Sequence, residues 1–305
     1  LVACQLLEAG ATIVGIVETS PASNIARAMH FLWGAIRSPK LISKGLAMTM
    51  RLKRAGIAWF KNATDIRMEG EFQVDALTFC VHGRKHRLAA DTVLLHHGVI
   101  PNTQISRLLR ADHEWNDAQL AWQPCLDAFR ETSVPGLRIA GDGGGIGGAL
   151  AAEASGRLAV IGAAHALGRL NDGDRDRLAA GERKRIATQT RIRPFLDALY
   201  RPPQWLSTPE GDTVVCRCEE VTAADIRGSV TLGVRGPNQT KFYNRCGMGP
   251  CQGRMCGLTV TQVLADELCI SPSEVGAYQV RSPLKPITLQ QMATLHQTTS
   301  QQEKA

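Results

Sequence analysis

Residues 132–159 read TSVPGLRIAGDGGGIGGALAAEASGRLA. Pro135-Gly136 marks a turn, and Leu137–Ala140 predicts a short strand. GDGGGIGG (141–148) then leads into a run of small residues that predicts a long helix to about Leu167. The loop carries Gly143-x-Gly145-x-x-Gly148, the spacing of a dinucleotide fingerprint. A Rossmann fingerprint needs a second strand after its helix, ending in an acid about 20 residues on. Here the helix runs into the charged stretch 171–187, where no strand is visible. The other reading centres on Asp142, flanked by Gly141, Gly143 and Gly145. A carboxylate there can accept from a ligand hydroxyl, while the helix N-terminus and its free N–H groups face a pyrophosphate. As local structure alone, the same residues make a glycine-rich turn with an N-capping Asp. The small residues Gly147, Gly148, Ala149, Ala151 and Ala152 permit close packing.

Upstream, Leu1–Ala9 reads as the end of an amphipathic helix, stopped by Gly10. ATIVGIVE (11–18) predicts a buried parallel strand that ends on Glu18. Helix, stop glycine and strand form the back half of a βαβ unit, in which such an acid binds a nucleotide ribose hydroxyl. Glu18 is therefore a candidate adenosine-ribose contact for a second nucleotide; the plainer alternative is a strand-end acid in solvent. The preceding strand and its glycine loop are absent, and the chain opens on Leu1. The expectation is a chain missing about 150 N-terminal residues, with 1–104 a partial nucleotide-binding domain. Helical patterns cover 23–36 and 41–55, the second closed by Gly56. Short strands fill 57–95, with turns at Glu69-Gly70 and His82-Gly83, and DTVLLHHG (91–98) predicts another buried strand. His96 and His97 at its end could line a polar crevice. Residues 105–200 combine a mixed region with a helical linker, and Pro202-Pro203 marks a boundary. A cysteine-rich unit spans 208–270, and 271–305 forms a tail whose polar tip is expected to be disordered.

Of nine cysteines, Cys4, Cys80, Cys125 and Cys269 are isolated and read as small core residues. Cys216, Cys218, Cys246, Cys251 and Cys256 crowd into 41 positions. An odd total without a secretory signal argues against a disulfide framework. The spacing is C-x-C, 27 residues, then C-x4-C. Structural zinc prefers C-x2–4-C in both halves, which fits poorly. An iron–sulfur cluster needs thiolates held by loops, and the glycines of RCGMGPCQGRMCG (245–257) let the backbone wrap an inorganic core and offer N–H groups to its sulfurs. Cys256 reads as a bystander close to the site.

The 305 residues allow two or three domains, and 44% hydrophobic content is ordinary for a globular protein. The net charge of +7 is scattered, with no aromatic-studded basic stretch, so no nucleic-acid partner is expected. No apolar run is long enough to span a bilayer. Neither a nucleophile–base pair nor H-E-x-x-H is present, and no catalytic residue is assigned.

VVCRCEEVTAADI (214–226) with RCGMGPCQGRMCG resembles the bacterioferritin-associated-ferredoxin type of [2Fe–2S] domain. That resemblance implies Cys216, Cys218, Cys246 and Cys251 as cluster ligands. Residues 132–159 resemble the second flavin-contacting motif of the pyridine-nucleotide-disulfide-oxidoreductase fold, which implies Asp142 on a ribityl hydroxyl of FAD. Gly144 departs mildly, where a small residue such as Ala is expected. With GVIPNTQISRLL (98–109) and RSPLKPITLQQMA (281–293), nearly the whole chain resembles the A or alpha subunits of opine oxidases, hydrogen cyanide synthase and related amino-acid dehydrogenases. The fold class implied is α/β, a remnant of a two-dinucleotide-binding-domain flavoprotein followed by a small, mainly helical [2Fe–2S] domain. Arg110 stands where relatives have Gly, which would alter that turn. In such a complex a second flavoprotein subunit oxidises an amine or amino acid. This chain would pass the electrons through FAD and cluster to a quinone or other carrier, in the cytoplasm or at the inner-membrane surface. An NAD(P)H-dependent reductase and a non-enzymatic iron–sulfur module remain as alternatives.

Overall fold

The computed structural model describes residues 1–294. Helix α1 (Val2–Glu8) stops where Gly10 takes φ +83°, a conformation that costs glycine little. Strand β1 (Gly15–Val17) follows. After helices α2 (Asn24–Met29), α3 (Leu32–Ile36) and α4 (Pro39–Arg54), strand β2 (Ala58–Phe60) returns parallel to β1, with Ile16 opposite Trp59. The expected strand over 11–18 is thus parallel, but three residues long and half-buried. Only β2 flanks it among the described residues, so little covers its faces.

Strands β3 (Thr64–Glu69), β4 (Ala76–Val81) and β5 (Arg84–Ala89) form an antiparallel sheet in that order. His82 and Gly83 both take positive φ, 49° and 75°, as a two-residue turn matched to strand twist requires. Phe79 is buried beneath this sheet, with its ring 4.9 Å from Phe60 and 5.5 Å from His86. DTVLLHHG (91–98) is not the buried strand expected. It has no regular structure, and Leu94 and Leu95 are exposed. No neighbouring strand among the described residues offers it a ladder, and an apolar run alone cannot satisfy its backbone groups.

Helix α5 (Gln104–Leu108) precedes a hairpin of β6 (His113–Asn116) and β7 (Ala121–Pro124), where Trp115 and Trp122 pair edge to face at 5.7 Å. Arg110 just after α5 keeps φ +63°, so the turn retains a glycine conformation with an arginine in it rather than changing shape. That placement costs about 1 kcal/mol. Leu137–Ala140 makes one isolated bridge, Arg138 with Glu131, rather than a strand. Helix α6 (Ala149–Ala166) packs its small face, Ala151, Ala154, Ser155, Leu158 and Gly162, largely on α7 (Asp172–Thr190). Gly162 is obligatory there, because a Cβ would lie 2.7 Å from Phe129 Cβ. A helix, not a strand, follows α6, which removes the Rossmann reading of the glycine spacing. Helix α8 (Arg193–Leu199) returns to α2, where buried Asn24 donates to the Leu199 and Arg201 carbonyls.

The cysteine-rich part comprises α9 (Gln204–Ser207), β8 (Val214–Cys216), β9 (Val221–Thr222), α10 (Ala223–Thr231), α11 (Pro237–Asn244), α12 (Gly257–Leu268) and α13 (Pro272–Val275). Thr222 and Asp225 form a capping box that starts α10. Ile226, Val234, Val260, Val263 and Leu264 make its core, and Arg227 of α10 pairs with Asp266 and Glu267 of α12. Cys269 departs from expectation: it is exposed, at φ +54° past the end of α12. The expected disordered tip lies outside the described residues. No helix among the described residues is long and apolar enough to cross a membrane.

Candidate metal-cluster and cofactor site

Strand β8 delivers Cys216, and Cys218 follows in the turn to β9. Helix α11 ends in Arg245 at φ +59°, which turns the chain into Cys246, and Cys256 sits at the N-cap of α12. The sulfurs of Cys216, Cys246 and Cys256 lie within 4.8 Å of one another, all buried. Cys218 is exposed and hydrogen-bonds half-buried Cys251 through their side chains. All nine cysteines are free. The five crowded cysteines therefore gather as a buried triad and an outer pair. Cys256, read from spacing as a bystander, belongs to the triad.

The intervening loop needs its glycines. A Cβ on Gly249 would lie 2.2 Å from Cys218 Cβ, and one on Gly247 would meet the Tyr278 ring at 2.6 Å. Tyr278 covers Gly247, Gly253 and Gly257, and its hydroxyl donates to the Cys246 carbonyl at 2.9 Å. Lys241 Nζ stands 4.7 Å from the centre of that ring. Sequence reading missed Tyr278, because no motif marks it. The glycines at 247, 253 and 257 were the available signal, since each leaves room on the face the ring fills.

Hydrogen bonding from Cys256 pulls the Cys246 thiol down to about 7 against its burial, with Tyr278 and Cys216 adding to it; Cys256 itself is pushed up by that same contact and by burial. Burial raises Cys251, but hydrogen bonds from the backbone N–H of Met255, from Cys218 and from the N–H groups of Gly253 and Arg254 bring it down on balance. Backbone donors aimed at a cysteine sulfur are what a thiolate ligand requires. Soft thiolates on glycine loops fit an iron–sulfur cluster as a donor set, and no carboxylate or imidazole joins the triad.

Asp142 lies in a single 3₁₀ turn, Gly141–Gly144, not in the first turn of α6. Its Oδ1 accepts from the Gly147 and Gly148 N–H groups at 3.1 and 3.3 Å, so it braces the loop into α6. Gly141, Asp142 and Gly145 line a cleft of about 220 Å³ with Arg130 and Arg193, each of which keeps an unpartnered, buried Nε. Gly143 lies behind it, near the Asn102 carbonyl. Donors facing a cleft beside an exposed carboxylate fit part of a dinucleotide. Glu18 sits at the end of β1, and its Oε2 accepts from Trp59 Nε1 at 3.1 Å. His96 and His97 are exposed.

His113 carries a pH dependence. Its Nδ1 faces the Ala111 carbonyl at 2.7 Å and its Nε2 faces Ser106 Oγ at 2.8 Å. Burial, helped by Arg107, lowers its pKa to about 4. The unfolded chain, near 6.5, binds more protons between those values, so stability is full above pH 6.5 and falls as pH drops towards 4. Urea melts at pH 7 and pH 5 should lose about 1–2 kcal/mol more in the native protein than in His113→Asn, after allowance for solvent screening.

A sarcosine oxidase A3 domain family model matches residues 210–296. The crystal structure of L-proline dehydrogenase from P. horikoshii aligns with TM-score 0.60 at 19% identity, covering 80% of this chain and 47% of that one. The architecture is a flavoprotein-like α/β fold. The A-type subunit of opine oxidase from Rhizobium meliloti (strain 1021) is 40% identical over 297 residues, 97% of this chain and 64% of the relative. Hydrogen cyanide synthase subunit HcnB of Pseudomonas protegens is 30% identical over 314 residues, 99% of this chain and 65% of the relative. The chain is a homologue of the A-type opine oxidase subunits and of HcnB, and it spans under two thirds of the length of these curated relatives.

Proposed function

We propose that this chain is an electron-relay part of an amine or amino-acid oxidoreductase. It holds a [2Fe–2S] cluster through Cys216, Cys218, Cys246 and Cys251 and lends Asp142, Gly141, Gly143 and Gly145 to an FAD site. The observation that carries the reading is the gathering of five cysteines from β8, the glycine loop and the start of α12 around one point, with backbone N–H groups on the Cys251 sulfur. The relatives' names, which include an oxidase and a synthase, support the class of reaction. When bound, a cluster of this kind takes up and releases one electron at a time, whereas a flavin takes electrons in pairs.

The chain's own residues hold and shield the site. The core of Ile226, Val260, Val263 and Leu264 fixes β8 against α12, so the two cysteine segments cannot drift apart. Tyr278 closes the loop on one side and tethers Cys246. Cys218 is exposed, which leaves one side of the site open to a redox partner. The unit over 208–270 carries the cluster, and the partners are a second flavoprotein subunit that oxidises the substrate and a carrier such as a quinone. Glu18 contacts a second nucleotide in this scheme.

The test is the protein purified anaerobically with the subunits that accompany it, assayed for iron, inorganic sulfide, zinc and flavin. About two irons and two sulfides per chain with bound flavin are expected. Stoichiometric zinc without sulfide overturns the cluster, and absence of flavin overturns the relay. Asp142→Ala, which frees two amide N–H groups and removes the carboxylate, should lower flavin occupancy roughly tenfold. Asp142→Asn keeps the Oδ1 acceptor and should fall between that variant and the native protein. Equal flavin content in all three removes Asp142 from the site.

A further inference from the structure

A second cavity, of about 250 Å³, opens between α5–β7 on one side and the start of α12 on the other. Its wall contains Gln104, Arg107 and Trp122, facing Gly253, Arg254 and Tyr278. No Asp or Glu lines it, and neither arginine makes an ion pair among the described residues. Three buried polar atoms in this wall have no partner: Arg107 Nη2, Trp122 Nε1 and Gln104 Oε1. Buried polar groups in folded proteins are nearly always satisfied, so three in one wall mark a missing partner. Arg107 is held in place beforehand. Its Nε donates to Thr103 Oγ1 at 3.2 Å, and its guanidinium stacks 5.0 Å from the centre of the Trp122 ring. Burial lowers its pKa only to about 10, so it stays cationic at neutral pH. A buried cation without a counter-ion is costly, and a matching oxyanion offsets that cost through charge-assisted hydrogen bonds.

We infer that this cavity binds an oxyanion, a carboxylate or phosphoryl group on a small molecule, with Arg107 Nη2 and Trp122 Nε1 as donors and the Trp122 and Tyr278 rings beside its body. Arg254 adds positive charge from the opposite wall, and its Nη1 donates to the Leu284 carbonyl. Gln104 Oε1 accepts from any donor the ligand carries. The site lies apart from the Asp142 cleft and does not depend on cluster or flavin for its chemistry.

Isothermal titration calorimetry with inorganic phosphate, benzoate and neutral benzamide tests this on the intact protein. At least one anion should bind, and benzamide should bind roughly tenfold more weakly than benzoate if the carboxylate is the preferred group. Phosphate binding without benzoate binding assigns the phosphoryl class. Arg107→Gln should weaken the bound anion at least about tenfold. Trp122→Phe, which removes one N–H but keeps the ring, should weaken it about threefold and abolish the ligand-induced fluorescence change. Should Arg107→Gln misfold by circular dichroism, Trp122→Phe decides alone. The inference fails if neither anion binds at about 10 mM, or if the folded variants bind as the native protein does.

Discussion

Cys246→Ser is expected to strip the protein of iron and inorganic sulfide while the remainder of the chain stays folded. Cys246 is buried in the triad, its thiol is drawn down to about 7 by its Cys256 neighbour, and its carbonyl is tied to Tyr278. A serine alkoxide is a poor substitute for a thiolate on a soft metal. Cluster binding and folding of such a loop are coupled, so the loss should be near complete rather than partial. Iron and sulfide assays with the visible spectrum read this directly. Two companions decide which sulfurs count. If the motif cysteines ligate, Cys218→Ser loses the cluster and Cys256→Ser keeps it. If the buried triad is the metal set, Cys256→Ser loses metal and Cys218→Ser keeps it. The proposed ligand assignment fails on the second result.

Gly249→Ala should destabilise the cysteine-rich part by about 2–3 kcal/mol, whereas Gly228→Ala in the same part should stabilise it by roughly 0.5–1 kcal/mol. The difference is one of surroundings. A Cβ at 249 would lie 2.2 Å from Cys218 Cβ and 3.1 Å from its sulfur, next to the backbone and with no flexible end to move. A Cβ at 228 meets nothing within 4 Å on an exposed face of α10, where it only reduces the freedom of the unfolded chain. Thermal or urea melts of the two single variants check both signs. Opposite shifts are expected, and equal ones would mean that the loop around Cys218 can relax. Because the 249 substitution displaces Cys218, its iron content should fall as well.

The turns and helices of this protein were legible because their signals are local. Gly10 and Gly56 end helices, His82-Gly83 turns a hairpin, and Thr222 with Asp225 starts α10, each through backbone conformation or a hydrogen bond within a few residues. The cysteine spacing was legible for the same reason, as was the absence of a strand after α6. DTVLLHHG was not, because strand formation needs a neighbour that no local pattern supplies. Leu137–Ala140 shortened to one bridge on the same account.

By itself, the sequence determined the cysteine inventory, the glycine loops, the helix boundaries and the kinship that these motifs carry. Tertiary structure alone decided that Cys256 joins Cys216 and Cys246, that Tyr278 covers the loop, that Asp142 braces Gly147 and Gly148, and that Arg107 is buried without a counter-charge. These relations join residues distant in the chain, or depend on what surrounds a side chain. Distance and burial arise only once packing has brought the segments together.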